Sequence, residues 1–178
     1  GAVEVAEVLT VDPAQKDMPH LFRFGMELTM PHQYDQICYY GRGPQESYSD
    51  RKAAALIGLY TEDVDDQYYP YIRPQESGNK TDVRYWKQID RSGRGFEIRS
   101  DKPFQASALP YLTADLDDGV EKHQRHSGEL TPRDLVNVHI DAVQMGVGGE
   151  DSWGSWPRPA YRLPYGDYSF RFVLVPIR

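Results

Sequence analysis

Polar and apolar residues alternate along much of the chain, and this period of two predicts β-strands. The clearest runs are Phe22–Met30, Val83–Trp86, Phe96–Ile98 and Val136–Ala142. A further run, Tyr168–Ile177, is apolar at nearly every position. That pattern predicts a central strand that is covered on both faces.

Two of the predicted strands have one apolar and one polar face. In the first run, Arg23, Glu27 and Thr29 share the face opposite Phe24 and its apolar neighbours. In the run that begins at Val136, the polar face carries Asn137, His139 and Asp141. Such strands are typical of an antiparallel sheet with one face on the core.

Helical patterns are sparse. The alanines within Arg51–Leu59 favour a helix, but Gly58 ends it early, and Thr113 could cap one turn that ends at Leu116. The 13 Tyr, 15 Gly and 13 Pro indicate strands separated by turns. We therefore expect one all-β domain over residues 1–178, an antiparallel sandwich.

Charge and cysteine content exclude several classes of protein. The 20 Lys and Arg against 27 Asp and Glu give a net charge of −7, which argues against nucleic-acid or anionic-membrane partners. No apolar run approaches the roughly 20 residues of a membrane span. A single cysteine, Cys38, excludes an internal disulfide framework and a Cys-rich zinc site.

Aromatic and acidic residues together raise the possibility of sugar chemistry, because aromatic rings offer flat apolar faces to a pyranose. The same residue types also pack in sandwich cores, so both interpretations stay open for each ring. Twenty-seven acids single out no catalytic pair. His123 and His126 lack an obvious third metal ligand. The candidate aromatic residues are Tyr68, Tyr69, Tyr71, Trp86, Trp153 and Trp156.

The segment Gly146–Gly154 is rich in glycine and then places two acids beside a Trp. A flexible turn that presents an indole next to carboxylates would form a ligand edge. A plain hairpin turn with a packing Trp explains the residues equally well. The residues alone do not decide between these two interpretations.

Three long motifs, in a fixed order, resemble one known family. They are YGRGPQESYSDR at Tyr40–Arg51, YPYIRPQESGN at Tyr69–Asn79, and QMGVGGEDSW at Gln144–Trp153. Each is similar to a motif of the C-terminal domain of glycoside hydrolase family 2 β-galactosidases, the small-chain domain or domain 5. The resemblance runs from about Phe22 to Arg178, whereas residues 1–20 have no counterpart that we can place.

The resemblance implies a β-supersandwich similar to galactose mutarotase-like domains, with its early strands missing from this chain. It places the catalytic glutamates, with the Mg²⁺ and Na⁺ sites, in an upstream barrel that 178 residues cannot contain. We therefore expect no catalytic residue and no metal site in this chain, and no activity when it is isolated. The implied partners are the parent's other domains, a galactoside such as lactose, and further subunits, in the bacterial cytoplasm or periplasm.

One side chain is carried over to the substrate pocket. Trp153 matches the Trp whose indole lies at the pocket edge, and Asp151 and Ser152 match residues that shape its loop. Asp50 and Arg51 match a pair that we expect to brace a turn through bidentate hydrogen bonds.

The parent would hydrolyse terminal β-D-galactosides with retention of configuration. Two alternatives come from other classes of protein. One is a free-standing carbohydrate-binding module, in which Trp153 would bind sugar without a barrel. The other is a mutarotase-like epimerase, which needs a His and a Glu facing each other, for which His126, His139 and Glu129 are available.

Overall fold

The computed structural model describes residues 1–15, 17–117, 120, 125–148 and 154–178. Strands make up almost all of the regular structure in these ranges, with one four-residue helix and three short 3₁₀ turns. No helix in the described residues is long and apolar enough to cross a membrane. The elements are β1 (Val3–Leu9), β2 (Arg23–Pro31), β3 (Gln36–Gly43), β4 (Leu56–Asp63), β5 (Lys80–Ile89), β6 (Gly95–Leu109), α1 (Thr113–Leu116), β7 (Leu135–Gln144) and β8 (Tyr168–Ile177).

All strand pairs are antiparallel, and the sheet divides along the 15-residue strand β6. On one side, β6 pairs with β5, which continues to β3 and β4. On its other side, the first half of β6 pairs with β8 and the second half with β7. The two halves extend to β1 and β2, respectively. Two arms of the sheet therefore begin at a single strand.

Side chains from both arms meet in one hydrophobic core, which makes the domain an all-β sandwich. Phe170 and Phe172 come from β8, whereas Val138 and Ile140 come from β7. Trp86 of β5 is fully buried and stacks on Tyr39 of β3, with the ring centroids 5.3 Å apart. Period-two patterning thus fixes which face of each strand is inside.

The predicted strands β2, β5, β7 and β8 are confirmed, with ends that differ by a few residues. The short helical turn at Thr113–Leu116 is confirmed as well. The helix expected within Arg51–Leu59 is wrong, because β4 begins at Leu56 and pairs with β3 along its whole length. Strand β1 was not expected, yet it pairs with β8.

Strand β8 differs from expectation in its surroundings. It lies between β1 and β6 in the sheet, so its backbone is central. Phe170 and Phe172 face the core, but Arg171 between them is exposed. One face of the strand is therefore buried, whereas the other is exposed at Ser169 and Arg171 and half-buried at Val173 and Val175.

Candidate functional site

The carboxylate of Glu46 joins the first motif to the second. It accepts hydrogen bonds from the hydroxyl of Tyr48 at 3.1 Å, from the guanidinium of Arg51 at 2.5 Å and from the backbone amide of Gly78 at 2.9 Å. The hydroxyl of Tyr71 is a further donor. Two of these donors lie in the loop after β3 and two in the loop before β5, so their charge-assisted hydrogen bonds to one carboxylate hold the two loops together.

Asp50 joins the first motif to the third. Its carboxylate accepts hydrogen bonds from the backbone amides of Val147 at 3.2 Å and Gly148 at 2.7 Å. A Cβ added at Gly146 or Gly148 would collide with this carboxylate, which explains the small residues at both positions. Asp50 and Arg51 thus have different partners rather than bracing each other as predicted.

Two further hydrogen bonds fix the same segment. The amide of Met145 donates to the carbonyl of Phe22 at 2.8 Å, and the amide of Gly146 donates to the carbonyl of Tyr161 at 2.9 Å. Four successive backbone amides, at residues 145–148, are therefore bonded to three different parts of the chain.

Arg23 forms the centre of a polar cluster on the sheet face opposite the core. It donates to Nδ1 of His139 at 2.8 Å and to Glu76 at 3.2 Å, and its Nε lies 3.3 Å from a carboxylate oxygen of Asp141. Since a guanidinium only donates, Nδ1 of His139 accepts and the proton of the neutral ring is on Nε2. That nitrogen lies 3.6 Å from a carboxylate oxygen of Glu27.

The cluster shifts the titration of two of its members in opposite directions. Burial raises the pKa of Asp141 to about 7, with Glu76, Glu7 and Glu27 adding to the rise and Arg23 opposing it. Burial and the charge of Arg23 lower the pKa of His139 to about 4. Among the described residues, neither oxygen of Asp141 has a hydrogen-bond partner, so the charge of Arg23 alone opposes the effect of burial on this carboxylate.

The aromatic candidates fall into different environments. Trp86 is fully buried in the core, and Tyr68 packs against Tyr111 with ring centroids 4.9 Å apart. Trp156 packs between His20 and Arg162. Tyr69 is 57% exposed and lies next to the ring of Tyr71.

The contacts of Glu46 and Asp50 join the first motif to the second motif and to the described part of the third. The family model for the β-galactosidase small chain matches residues 1–174. The chain belongs to this family. The match includes the first 20 residues, in which the motifs gave no resemblance.

Curated relatives of this small-chain family member are β-galactosidases. The enzyme from Priestia megaterium is 41% identical over 162 residues, which cover 90% of this chain and 15% of the relative. Beta-galactosidase BgaC from Bifidobacterium adolescentis is 38% identical, with coverage of 85% and 14%. The enzyme from Halalkalibacterium halodurans is 33% identical, with coverage of 97% and 17%. The chain thus spans about one sixth of these relatives.

The predicted pocket residues Trp153, Asp151 and Ser152 lie outside the described residues, as does His123. The backbone amide of His126 donates a hydrogen bond to Glu129, and its Nδ1 lies 3.1 Å from the carbonyl oxygen of Ile72. His126 and His139 therefore contact different residues. In the parts of the chain that the structure describes, no group of three or more His, Cys, Asp or Glu residues is arranged to hold a metal ion.

Sequence reasoning missed the Arg23 cluster as a unit. The alternation of β2 and β7 did place Arg23, Glu27, His139 and Asp141 on polar faces. The signal that would have found the cluster is the presence of ionisable residues on two such faces, since neighbouring strands bring them together. The pairing of β2 with β7 sets Glu27 opposite His139. This pairing joins strands that are distant in sequence, so the sequence pattern does not predict it.

Proposed function

We propose that this chain is the C-terminal small-chain domain of a β-galactosidase that hydrolyses terminal non-reducing β-D-galactose residues. The observation that carries the proposal is the family match over residues 1–174, together with relatives that are β-galactosidases. Hydrolysis would proceed with retention, through two carboxylates in the remainder of the parent. The Mg²⁺ and Na⁺ sites implied by the resemblance would lie there too.

In this proposal the chain has two tasks. It supports the catalytic barrel, and it lends the indole of Trp153 to the edge of the substrate pocket. A Trp ring offers an apolar face to the C–H face of galactose. The Asp50 contact supports this assignment, because it fixes the backbone of Gly148, five residues before Trp153.

Substitution of Trp153 in the full-length parent tests the second task. We expect Trp153→Leu to lower kcat/KM for a nitrophenyl β-galactoside by roughly tenfold or more, and Trp153→Phe to lower it less. Trp156→Leu is the matched control, because Trp156 already packs against His20 and Arg162. Equal kinetics for wild type and Trp153→Leu would overturn the role of Trp153.

The isolated chain separates this proposal from a free-standing binding module. We expect no turnover of nitrophenyl galactoside by the purified chain and no change in Trp fluorescence on titration with galactose. Galactose binding that is lost in Trp153→Ala would instead support the binding module.

A further inference from the structure

The part of the sheet with the order β1-β8-β6-β5-β3-β4 has a second face, which points away from the hydrophobic core. In-register pairs carry one row of side chains across this face from edge to edge. Residues that are directly opposite in a sheet point to the same side, so the row is continuous. We call it the outer row. Its members, from β4 to β1, are Leu59, Tyr40, Tyr85, Arg99, Val173 and Glu4.

Apolar and aromatic side chains are frequent in and beside the outer row, although it faces away from the core. Leu59 is 72% exposed and Tyr40 is 38% exposed. Ile57, on the same face of β4, is 41% exposed, and Val173 and Val175 of β8 are half-buried. Exposed apolar groups that lie together among charged residues are typical of an interaction surface. The apolar pattern of β8, which predicts cover on both faces, supports the same interpretation.

The cations around the outer row outnumber the anions. Glu97 is the carboxylate partner of both Lys87, at 3.8 Å, and Arg99. Arg84 lies over the ring of Tyr40, with its Cζ 5.4 Å from the ring centroid, and has no carboxylate partner among the described residues. Three cations and one anion leave this part of the face positively charged, whereas the whole chain has a net charge of −7.

A second copy of this chain is a poor partner for the outer row. A twofold dimer places the same patch of each subunit against the other. Arg84, Lys87 and Arg99 of one subunit would then face the same three cations of its partner, and like charges oppose association. The charges instead favour an acidic partner, with a carboxylate that can pair with Arg84.

We propose that the outer row is the surface through which this domain docks against an acidic and partly apolar region of the parent β-galactosidase, outside residues 1–178. The inference rests on the proposed function, because it requires a parent with further domains. The curated relatives are long enough to supply such a region, since this chain spans about one sixth of their length. In the docked protein, Leu59 and Val173 contact apolar side chains, and a carboxylate of the partner region pairs with Arg84.

The reactivity of a thiol at position 59 tests whether the outer row is covered. Leu59→Cys is introduced into the full-length protein, and mass spectrometry of the peptide that contains this position follows its reaction with a maleimide, in the native protein and in urea. A side chain that is as exposed as Leu59 is in this chain would react at nearly the same rate in both states. We expect the native protein to react at least about a hundredfold more slowly, because the thiol is accessible only when the interface opens.

Reversal of one charge tests the acidic partner. Arg84→Glu, combined with Leu59→Cys, should speed the native labelling at least roughly fivefold, because carboxylates would then face each other across the interface. Arg84→Gln should act in the same direction with a smaller effect. Lys102→Glu is the matched control, since it makes the same change in net charge at an exposed residue of β6 that is not part of the outer row. Equal labelling rates in Arg84→Glu and Lys102→Glu would overturn the acidic partner.

The remaining outcomes separate this inference from the proposed function. Native labelling within about threefold of the rate in urea would mean that the face is uncovered, and would overturn the inference. Protection that disappears when the protein is diluted to monomers would assign the face to a second copy and would reject the proposed partner. Hydrolysis of nitrophenyl β-galactoside by the unsubstituted protein measures the proposed function independently. An inactive protein with protection that does not depend on dilution would reject the proposed function and retain a partner region within the same chain.

Discussion

The carboxylate of Asp50 accepts a hydrogen bond from the amide of Gly148 at 2.7 Å, although the two residues are 98 positions apart. We expect Asp50→Ala to lower the free energy of unfolding by about 1.5–3 kcal/mol, because two amides lose a charged acceptor. Urea unfolding measures the change, and hydrogen exchange at Val147 and Gly148 locates it. Asp101→Ala, which removes an exposed carboxylate on β6, is the control. Unaltered exchange at both amides would contradict the expectation.

The same contact predicts an intolerance at Gly146. An added Cβ would overlap the Asp50 carboxylate and touch Tyr161 at 3.0 Å, so Gly146→Ala should cost about 1–3 kcal/mol of stability. Gly128→Ala should be nearly neutral, since nothing lies within 4 Å of its added Cβ. The double variant Asp50→Ala/Gly146→Ala should lose less stability than the sum of the losses in the two single variants. Full additivity would mean that the clash is elsewhere.

Lys80 and Glu62 form a largely buried ion pair that should be sensitive to the loss of one partner. The side chain of Lys80 is 3% exposed and that of Glu62 is 15% exposed. We expect Lys80→Met to cost about 3 kcal/mol, since it leaves a carboxylate without its cation. The double variant Lys80→Met/Glu62→Gln should recover part of this loss. Chemical denaturation of the three proteins measures it, and a double variant no more stable than Lys80→Met would refute the explanation.

Asp141 and His139 should have opposite effects on stability between about pH 4 and 6.5. Asp141 keeps its proton up to about pH 7 when folded, but loses it near pH 3.9 when unfolded, so its contribution falls as pH rises. His139 stays neutral down to about pH 4 when folded, but gains a proton near pH 6.5 when unfolded, so its contribution falls as pH falls. The two slopes are about 1.4 kcal/mol per pH unit each and cancel.

Removal of either group should expose the slope of the other. Relative to wild type, Asp141→Asn should lose stability as the pH is lowered from 6.5 to 4. His139→Gln should lose stability relative to wild type as the pH is raised from 4 to 6.5. Urea titrations at several pH values give both difference curves, which cancel the contribution of the remaining carboxylates. Two flat difference curves would show that the pKa values of Asp141 and His139 in the folded protein are the same as in the unfolded chain.

The sequence alone predicts the strands whose alternation is regular, such as β2 and β7. It fails at β4, where local alanines favour a helix and the pairing with β3 decides otherwise. Helix propensity is worth only tenths of a kcal/mol per residue, so a partner strand overrides it. Tertiary contacts also limit what can be predicted of the site. The three motifs can be recognised from the sequence, but the carboxylates of Glu46 and Asp50 that join them cannot. The contacts of Asp50 with Gly148 and of Glu46 with Gly78 join residues 98 and 32 positions apart, and only the tertiary fold brings them together.

Strand β6 bonds to β5 on one side and to both β7 and β8 on the other. Each arm pairs with its own half of β6, but both arms depend on that one strand and bury side chains in the same hydrophobic core. We therefore expect the domain to unfold as a single cooperative unit, with calorimetric and van't Hoff enthalpies that agree, rather than as two subdomains that melt in turn.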